Sequence, residues 1–232
     1  SVMHRLAEEY APFSSILRGF ILPKFFLENC GAYLAAIRSI GRTEEYFYMP
    51  VFESAAMIPP QTRREALTEV RAQLDTVSGS ILNIRVGGND LSHAFGLRRP
   101  ANRTIYDLRP VADILIDIVA AFGTQYVVSG PVWEYYSGEG WEEGLRREME
   151  LDLLNGFTGK TVIHPNQIPV VNEMLRVSQQ DYADARAILN WDTGSGSLVS
   201  ASEDGGRMNE YNTHSRWARR ILLRAERYGV RA

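Results

Sequence analysis

Apolar and polar positions follow two rhythms along this chain, and the order of those rhythms is the first guide to its fold. Short runs rich in β-branched and aromatic residues, at 19–22, 46–52, 81–86, 126–128 and 161–163, read as strands. Between and before them, residues 2–10, 27–39, 62–76, 111–122 and 142–154 place apolar side chains at helical spacing. Strand and helix in repeated succession predict βα units on a parallel sheet. Each strand run ends in polar or glycine-rich residues: Pro23-Lys24-Phe25, then Glu53, then Gly87-Gly88-Asn89-Asp90, then Ser129-Gly130-Pro131, and finally His164-Pro165-Asn166-Gln167. In an α/β barrel that edge carries the chemistry.

After residue 168 the rhythm changes. Residues 179–189 read as a helix and 193–197 as a Gly/Ser turn. Residues 198–202 read as a short strand of a hairpin closed by Asp204-Gly205-Gly206, and 216–228 as a basic amphipathic helix. The expected organisation is a (β/α) barrel portion over 1–176 and a C-terminal helical and hairpin extension, or lid, over 177–232. Five barrel-type strands are visible where a closed (β/α)₈ barrel has eight. Because the chain opens on a helix that already feeds a strand, the expectation is a TIM barrel whose first strands are absent from this chain.

Composition narrows the function classes. A chain of 232 residues with 45% hydrophobic content can bury one substantial core. Its 28 acidic and 25 basic residues give a net charge of -3 with no basic block, so phosphate-driven nucleic acid binding is not expected. The lone cysteine, Cys30, excludes an internal disulfide and a cysteine-based zinc site. Neither a membrane-length apolar run nor a signal peptide is present, so a cytoplasmic protein is the expectation.

Gly159-Lys160-Thr161 imitates the end of a phosphate-binding P-loop, yet Leu154 stands where the loop needs a glycine, and a strand-like run rather than a helix follows. The strand ends hold better candidates. Glu53 and Asp90 follow successive strands, so in a barrel both carboxylates converge over one mouth, where they suit a Mg²⁺ ion with several water ligands. Acids at these positions also serve as helix caps. Gly87 and Gly88, next to Asn89, let the backbone turn sharply and approach a ligand. Ser129, Gly130 and Pro131 form a similar, weaker feature. His164 can donate to a substrate oxygen or play a structural part. Lys24 raises a Schiff-base aldolase as a second enzymatic reading, which requires a desolvated amine. The aromatic cluster Trp133, Tyr135, Tyr136 and Trp141 can line a pocket or simply pack.

Taken together, Pro23-Lys24, Met49-Pro50-Val51-Phe52-Glu53-Ser54, Gly87-Gly88-Asn89-Asp90-Leu91, Ser129-Gly130-Pro131 and the segment from Gly156 to Ile168 resemble the citrate lyase β-subunit family. That superfamily of carbon–carbon lyases includes the malyl-CoA and citramalyl-CoA lyases. Gly205-Gly206-Arg207-Met208-Asn209-Glu210 and Trp133-Glu134-Tyr135-Tyr136 are similar to a divergent branch found with bacterial tellurium-resistance genes. The resemblance implies a TIM barrel, Mg²⁺ on Glu53 and Asp90, and a β-hydroxy acid or its coenzyme A thioester as substrate. It also implies a homo-oligomer. Lys24, His164 and Glu210 are further catalytic candidates; Glu210 stands near, though not in register with, the family's C-terminal aspartate. The family's first three strands, which hold an Asp-Glu pair and a substrate-binding arginine, have no counterpart in this chain. A catalytically silent barrel acting as a binding subunit of an assembly is the non-enzymatic alternative.

Overall fold

The computed structural model describes residues 2–10, 16–40, 46–191, 199–202 and 205–231. They form two compact units, residues 1–167 and 168–232.

The first unit opens on helix α1 (Val2–Glu9) and then alternates strand and helix: β1 (Gly19–Leu22), α2 (Leu27–Ser39), β2 (Phe47–Phe52), α3 (Pro60–Asp75), β3 (Ile84–Val86), α4 (Gly88–Ala94), α5 (Arg109–Phe122), β4 (Val128–Gly130), α6 (Trp141–Leu154) and β5 (Gly159–Lys160). The five strands pair in sequence order and all are parallel, as successive right-handed βα units require. Register is set by burial. Tyr48, Pro50 and Phe52 alternate inward along β2, and Ile84 and Val86 do the same along β3. The helices cover that face with residues at helical spacing, Ala66, Leu67, Val70 and Leu74 from α3 and Val111, Leu115, Ile118 and Phe122 from α5. Each fully buried aliphatic or aromatic side chain contributes about 1.5–3 kcal/mol. The rings of Phe25 and Phe26 meet Phe52, and Phe52 meets Phe122 at 4.9 Å, joining β2 to α5 across the sheet.

Two strands sit two residues away from the runs expected of them. The fourth is 128–130 rather than 126–128, and the fifth is 159–160 rather than 161–163. Val162 and Ile163 are exposed, so their β-branched chemistry marks a loop here, whereas Lys160 is paired within the sheet. Helix α4 stands where the sequence predicts a turn, because Gly88 and Asn89 are poor helix formers.

The second unit carries α7 (Gln167–Met174), β6 (Val177–Ser178), α8 (Gln179–Leu189), β7 (Val199–Ala201), β8 (Met208–Glu210), α9 (Tyr211–Tyr228) and β9 (Val230–Arg231). Helices α8 and α9 enclose a core of Val177, Ala185, Ile188, Ala218, Ile221 and Ala225. The β7–β8 hairpin is held to α8 by Arg207, which pairs with Asp181 and Asp184. The turn expected at 193–197 lies outside the described residues, as do Leu198 and Asp204. Helix α9 starts five residues earlier than expected, at a point where His214 Nδ1 accepts the backbone N–H of Glu210. Among the described residues, no helix is long and apolar enough to cross a membrane.

Candidate active site

Parallel pairing puts the carboxyl ends of β1, β2 and β3 along one edge, and three charged residues meet there. Lys24 lies two residues past β1, Glu53 directly after β2, and Asp90 in the first turn of α4. The backbone N–H of Lys24 donates to Glu53 Oε1 at 3.0 Å, while its ammonium donates to Asp90 Oδ1 at 2.7 Å. One residue therefore bridges both acids.

That bridge depends on an uncommon backbone conformation. Lys24 has φ 50°, the sole non-glycine residue in the left-handed region among the described residues, at a cost on the order of 1–2 kcal/mol. The turn is held open by its neighbours. Tyr33 donates its hydroxyl to the Pro23 carbonyl, Asn29 its side-chain amide to the Lys24 carbonyl, and the Phe25 N–H donates to the Val51 carbonyl. Glu53 is placed by a glycine: a Cβ on Gly87 would fall on Glu53 Cβ and Oε2, so the carboxylate occupies the space that a side chain at 87 would need. Gly88 likewise yields its space to Ile105 and Pro131. Both glycines thus admit protein side chains at this edge.

The Lys24 side chain is 63% exposed and Asp90 48%. The hydrogen bond that it donates to Asp90 is the main reason that the Lys24 ammonium is held above its usual range, with a smaller contribution from the charge of Glu53. A Schiff-base lysine needs the opposite, a desolvated amine with a lowered pKa.

For a metal, the donor set is the two carboxylates; the Asn89 side-chain oxygen, one residue before Asp90, is buried with no hydrogen-bond partner among the described residues. No cluster of three or more His, Cys, Asp or Glu side chains among the described residues could hold a metal ion. Two hard oxygen donors with the remaining positions left to water fit Mg²⁺, which dehydrates reluctantly. The ammonium already bound to Asp90 is a cation held at this edge.

The other candidates have partners of their own. His164 stacks on Tyr136 with ring centroids 4.4 Å apart, and its Nδ1 accepts the Asn166 N–H. Ser129 and Gly130 are strand residues; the Ser129 hydroxyl accepts from Asn83, and Gly130 makes room for the Asp152 carboxylate. Pro131 packs by Gly88. Glu210, in the second unit, joins β8 to α9. The structure thus brings Lys24, Glu53, Gly87 and Asp90 together, and gives His164 contacts with Tyr136 and Asn166.

Lys160 of the imitation P-loop is fully buried and donates to Glu148 and Asp152, both at 2.7 Å. Arg99 pairs with the same Glu148, and Tyr106 donates to Asp152. Burial pushes the Asp152 carboxyl upward against the pull of Lys160. Gln167, also fully buried, accepts from the Ile163 N–H and donates to the carbonyls of Trp133 and Tyr135, which fixes the loop after β5.

One residue of this edge escaped the sequence reading. Arg85 alternates with the buried Ile84 and Val86, so it faces the side of the sheet where Gly87 and Glu53 meet. Its signal was a single basic residue inside an apolar strand.

A sequence model described as C–C bond lyase of the TIM-barrel fold matches residues 1–230. An L-malyl-CoA/β-methylmalyl-CoA lyase of Cereibacter sphaeroides is 38% identical over 74 residues, 31% of this chain and 22% of that protein. The match thus spans under a quarter of that relative's length. Two solved structures are similar in fold. One is CitE from Mycobacterium tuberculosis, in complex with magnesium, acetoacetate and coenzyme A (TM-score 0.60, 22% identity, 89% of this chain and 67% of that one). The other is a citrate lyase from Burkholderia xenovorans (TM-score 0.65, 16% identity, 92% and 65%). The five-stranded parallel sheet is accordingly part of a TIM barrel.

Proposed function

The chain belongs to the C–C bond lyase family of the TIM-barrel fold, and from that premise we propose that it cleaves a carbon–carbon bond in a β-hydroxy acid or its coenzyme A thioester, with Mg²⁺ held by Glu53 and Asp90. The observation that supports this most directly is the convergence of both acids on Lys24. When bound, the ion supplies a Lewis acid that polarises the substrate oxygens. Glu53, after β2, and Asp90, in the first turn of α4, would hold it, and Gly87 leaves the space that Glu53 occupies. Lys24 supplies an ammonium that exchanges Asp90 for a developing oxyanion on the substrate, a charge that a positioned cation stabilises. The malyl-CoA lyase relative and the coenzyme A complex of CitE favour an acyl-CoA substrate. A cytoplasmic homo-oligomer is the setting we propose.

The test is calorimetric titration of Mg²⁺ into the full-length protein, followed by turnover of malyl-CoA beside free malate. Magnesium binding that Glu53→Gln and Asp90→Ala abolish, together with turnover, supports the reading. Failure of the wild-type protein to bind Mg²⁺ sinks it. A catalytically silent barrel is the second reading, favoured by Lys24 already neutralising Asp90; Mg²⁺ binding without turnover of any hydroxy acid or thioester would select it.

A further inference from the structure

In the first unit, two buried arginines are paired with carboxylates, and a third at the candidate site is not. The buried Arg63 and Arg99 each meet a carboxylate, Asp117 at 2.7 Å and Glu148 at 2.8 Å. Arg85 is half-buried, yet among the described residues it has no ion pair; its single hydrogen bond runs from Nη2 to Thr161 Oγ1 at 3.4 Å. A guanidinium has five N–H donors in a planar fork. Most of them meet no side chain among the described residues.

Its position gives those donors a purpose. Arg85 pairs in register with Val51 on β2 and Ser129 on β4, so it lies one side-chain layer below Glu53 and Gly87 on the same face of the sheet. Glu53 is near enough for its charge to favour the guanidinium's charged form, against the larger effect of burial. A half-desolvated fork with free donors, on the face that the metal-binding acids overlook, is matched to a bidentate carboxylate.

We propose that Arg85 binds the free carboxylate of the substrate, so that this chain selects β-hydroxy compounds that carry such a carboxylate over neutral analogues of the same shape. The inference rests on the lyase reading for its location and deepens it by naming what the substrate must present. Arg85 is thereby a specificity-determining residue that touches substrate, and Thr161 is a positioning residue that holds one arm of the fork.

The experiment uses the full-length protein in three forms, wild type, Arg85→Gln and Arg85→Lys, with malate and its neutral diamide as probes. Mg²⁺ affinity and thermal denaturation are measured first on each form. The wild type is expected to bind malate at least about tenfold tighter than the diamide. Arg85→Gln should lose that preference while keeping Mg²⁺ affinity, and Arg85→Lys, with charge but no fork, should keep part of it. An unchanged preference in folded Arg85→Gln overturns the proposal, as does its absence in the wild type. If Arg85→Gln fails to fold, Arg85→Lys decides, because undiminished preference there shows that the fork is not used. A wild type that prefers malate without binding Mg²⁺ would sink the metal-dependent reading and leave the role of Arg85 standing.

Discussion

At the scale of single residues, the candidate site is a competition among cations for two carboxylates. Lys24 holds Asp90 through its ammonium and Glu53 through its backbone, so a divalent ion entering here displaces only the side-chain contact. An exposed ion pair is worth up to about 1 kcal/mol. Lys24→Met should therefore bind Mg²⁺ about two- to fivefold tighter than the wild type, read by calorimetry. Weaker binding would mean that the ammonium supports the metal rather than competing with it. Asp90→Ala should lower Mg²⁺-dependent turnover by several orders of magnitude with the fold intact. Asp90 sits in the first turn of α4, where its interaction with the helix dipole contributes about 1 kcal/mol or less. Turnover retained in that variant would move the chemistry elsewhere. Glu53 and Asp90 were legible as candidates because acids that follow apolar runs, directly or after a glycine turn, stand out. Arg85 was not, because one charge inside a strand reads as strand until its face is known. Lys160 was read through its motif, whereas two acids brought from α6 by the fold consume it.

At the scale of elements, the strand order and most helices were readable and the strand ends were not. Hydrophobic runs report which segments are buried, but the register of β4 and β5 is set by the neighbouring strand and by the acids of α6 beneath it. Gly130 must be a strand residue because Asp152 takes its side-chain space, and no pattern within 126–131 shows that. The glycines give the clearest element-scale test. Gly87→Ala drives a methyl into Glu53 and should cost about 1–3 kcal/mol by overpacking, with Mg²⁺ affinity falling as the carboxylate is displaced. Gly31, in the interior of α2, has nothing within 4 Å of where its Cβ would be. Gly31→Ala should instead raise stability by about 0.5–1 kcal/mol, with Mg²⁺ binding unchanged. Paired denaturant melts and metal titrations read both. Equal effects from the two substitutions would show that the Gly87–Glu53 contact is not what places the acid.

For the whole molecule, five parallel strands in sequence order were foreseeable from the alternating rhythm. The pairing of β6 with β9 was not, since two-residue strands that meet across an intervening helix pair leave no periodic trace. What the sequence also hid is that the first unit carries a buried ionic cluster where a hydrophobic layer would be expected. Lys160 on β5, Glu148 and Asp152 on α6, Arg99, Tyr106 and the backbone N–H of Ile105 are linked by ion pairs and hydrogen bonds. Removing one partner from such a cluster strands the others as uncompensated buried charge, which costs about 3–5 kcal/mol. For a chain of this length each kcal/mol lowers the melting temperature by roughly 2–4 °C, so Lys160→Met should melt roughly 6–20 °C below the wild type. The comparison is Arg109→Ala, which breaks an exposed pair with Asp113 four residues on in α5 and should cost about 0.3–0.5 kcal/mol. Scanning calorimetry on both variants separates the two cases. A Lys160→Met shift no larger than that of Arg109→Ala would mean that the remaining acids take up protons or rearrange, and that the cluster does not hold β5 to α6.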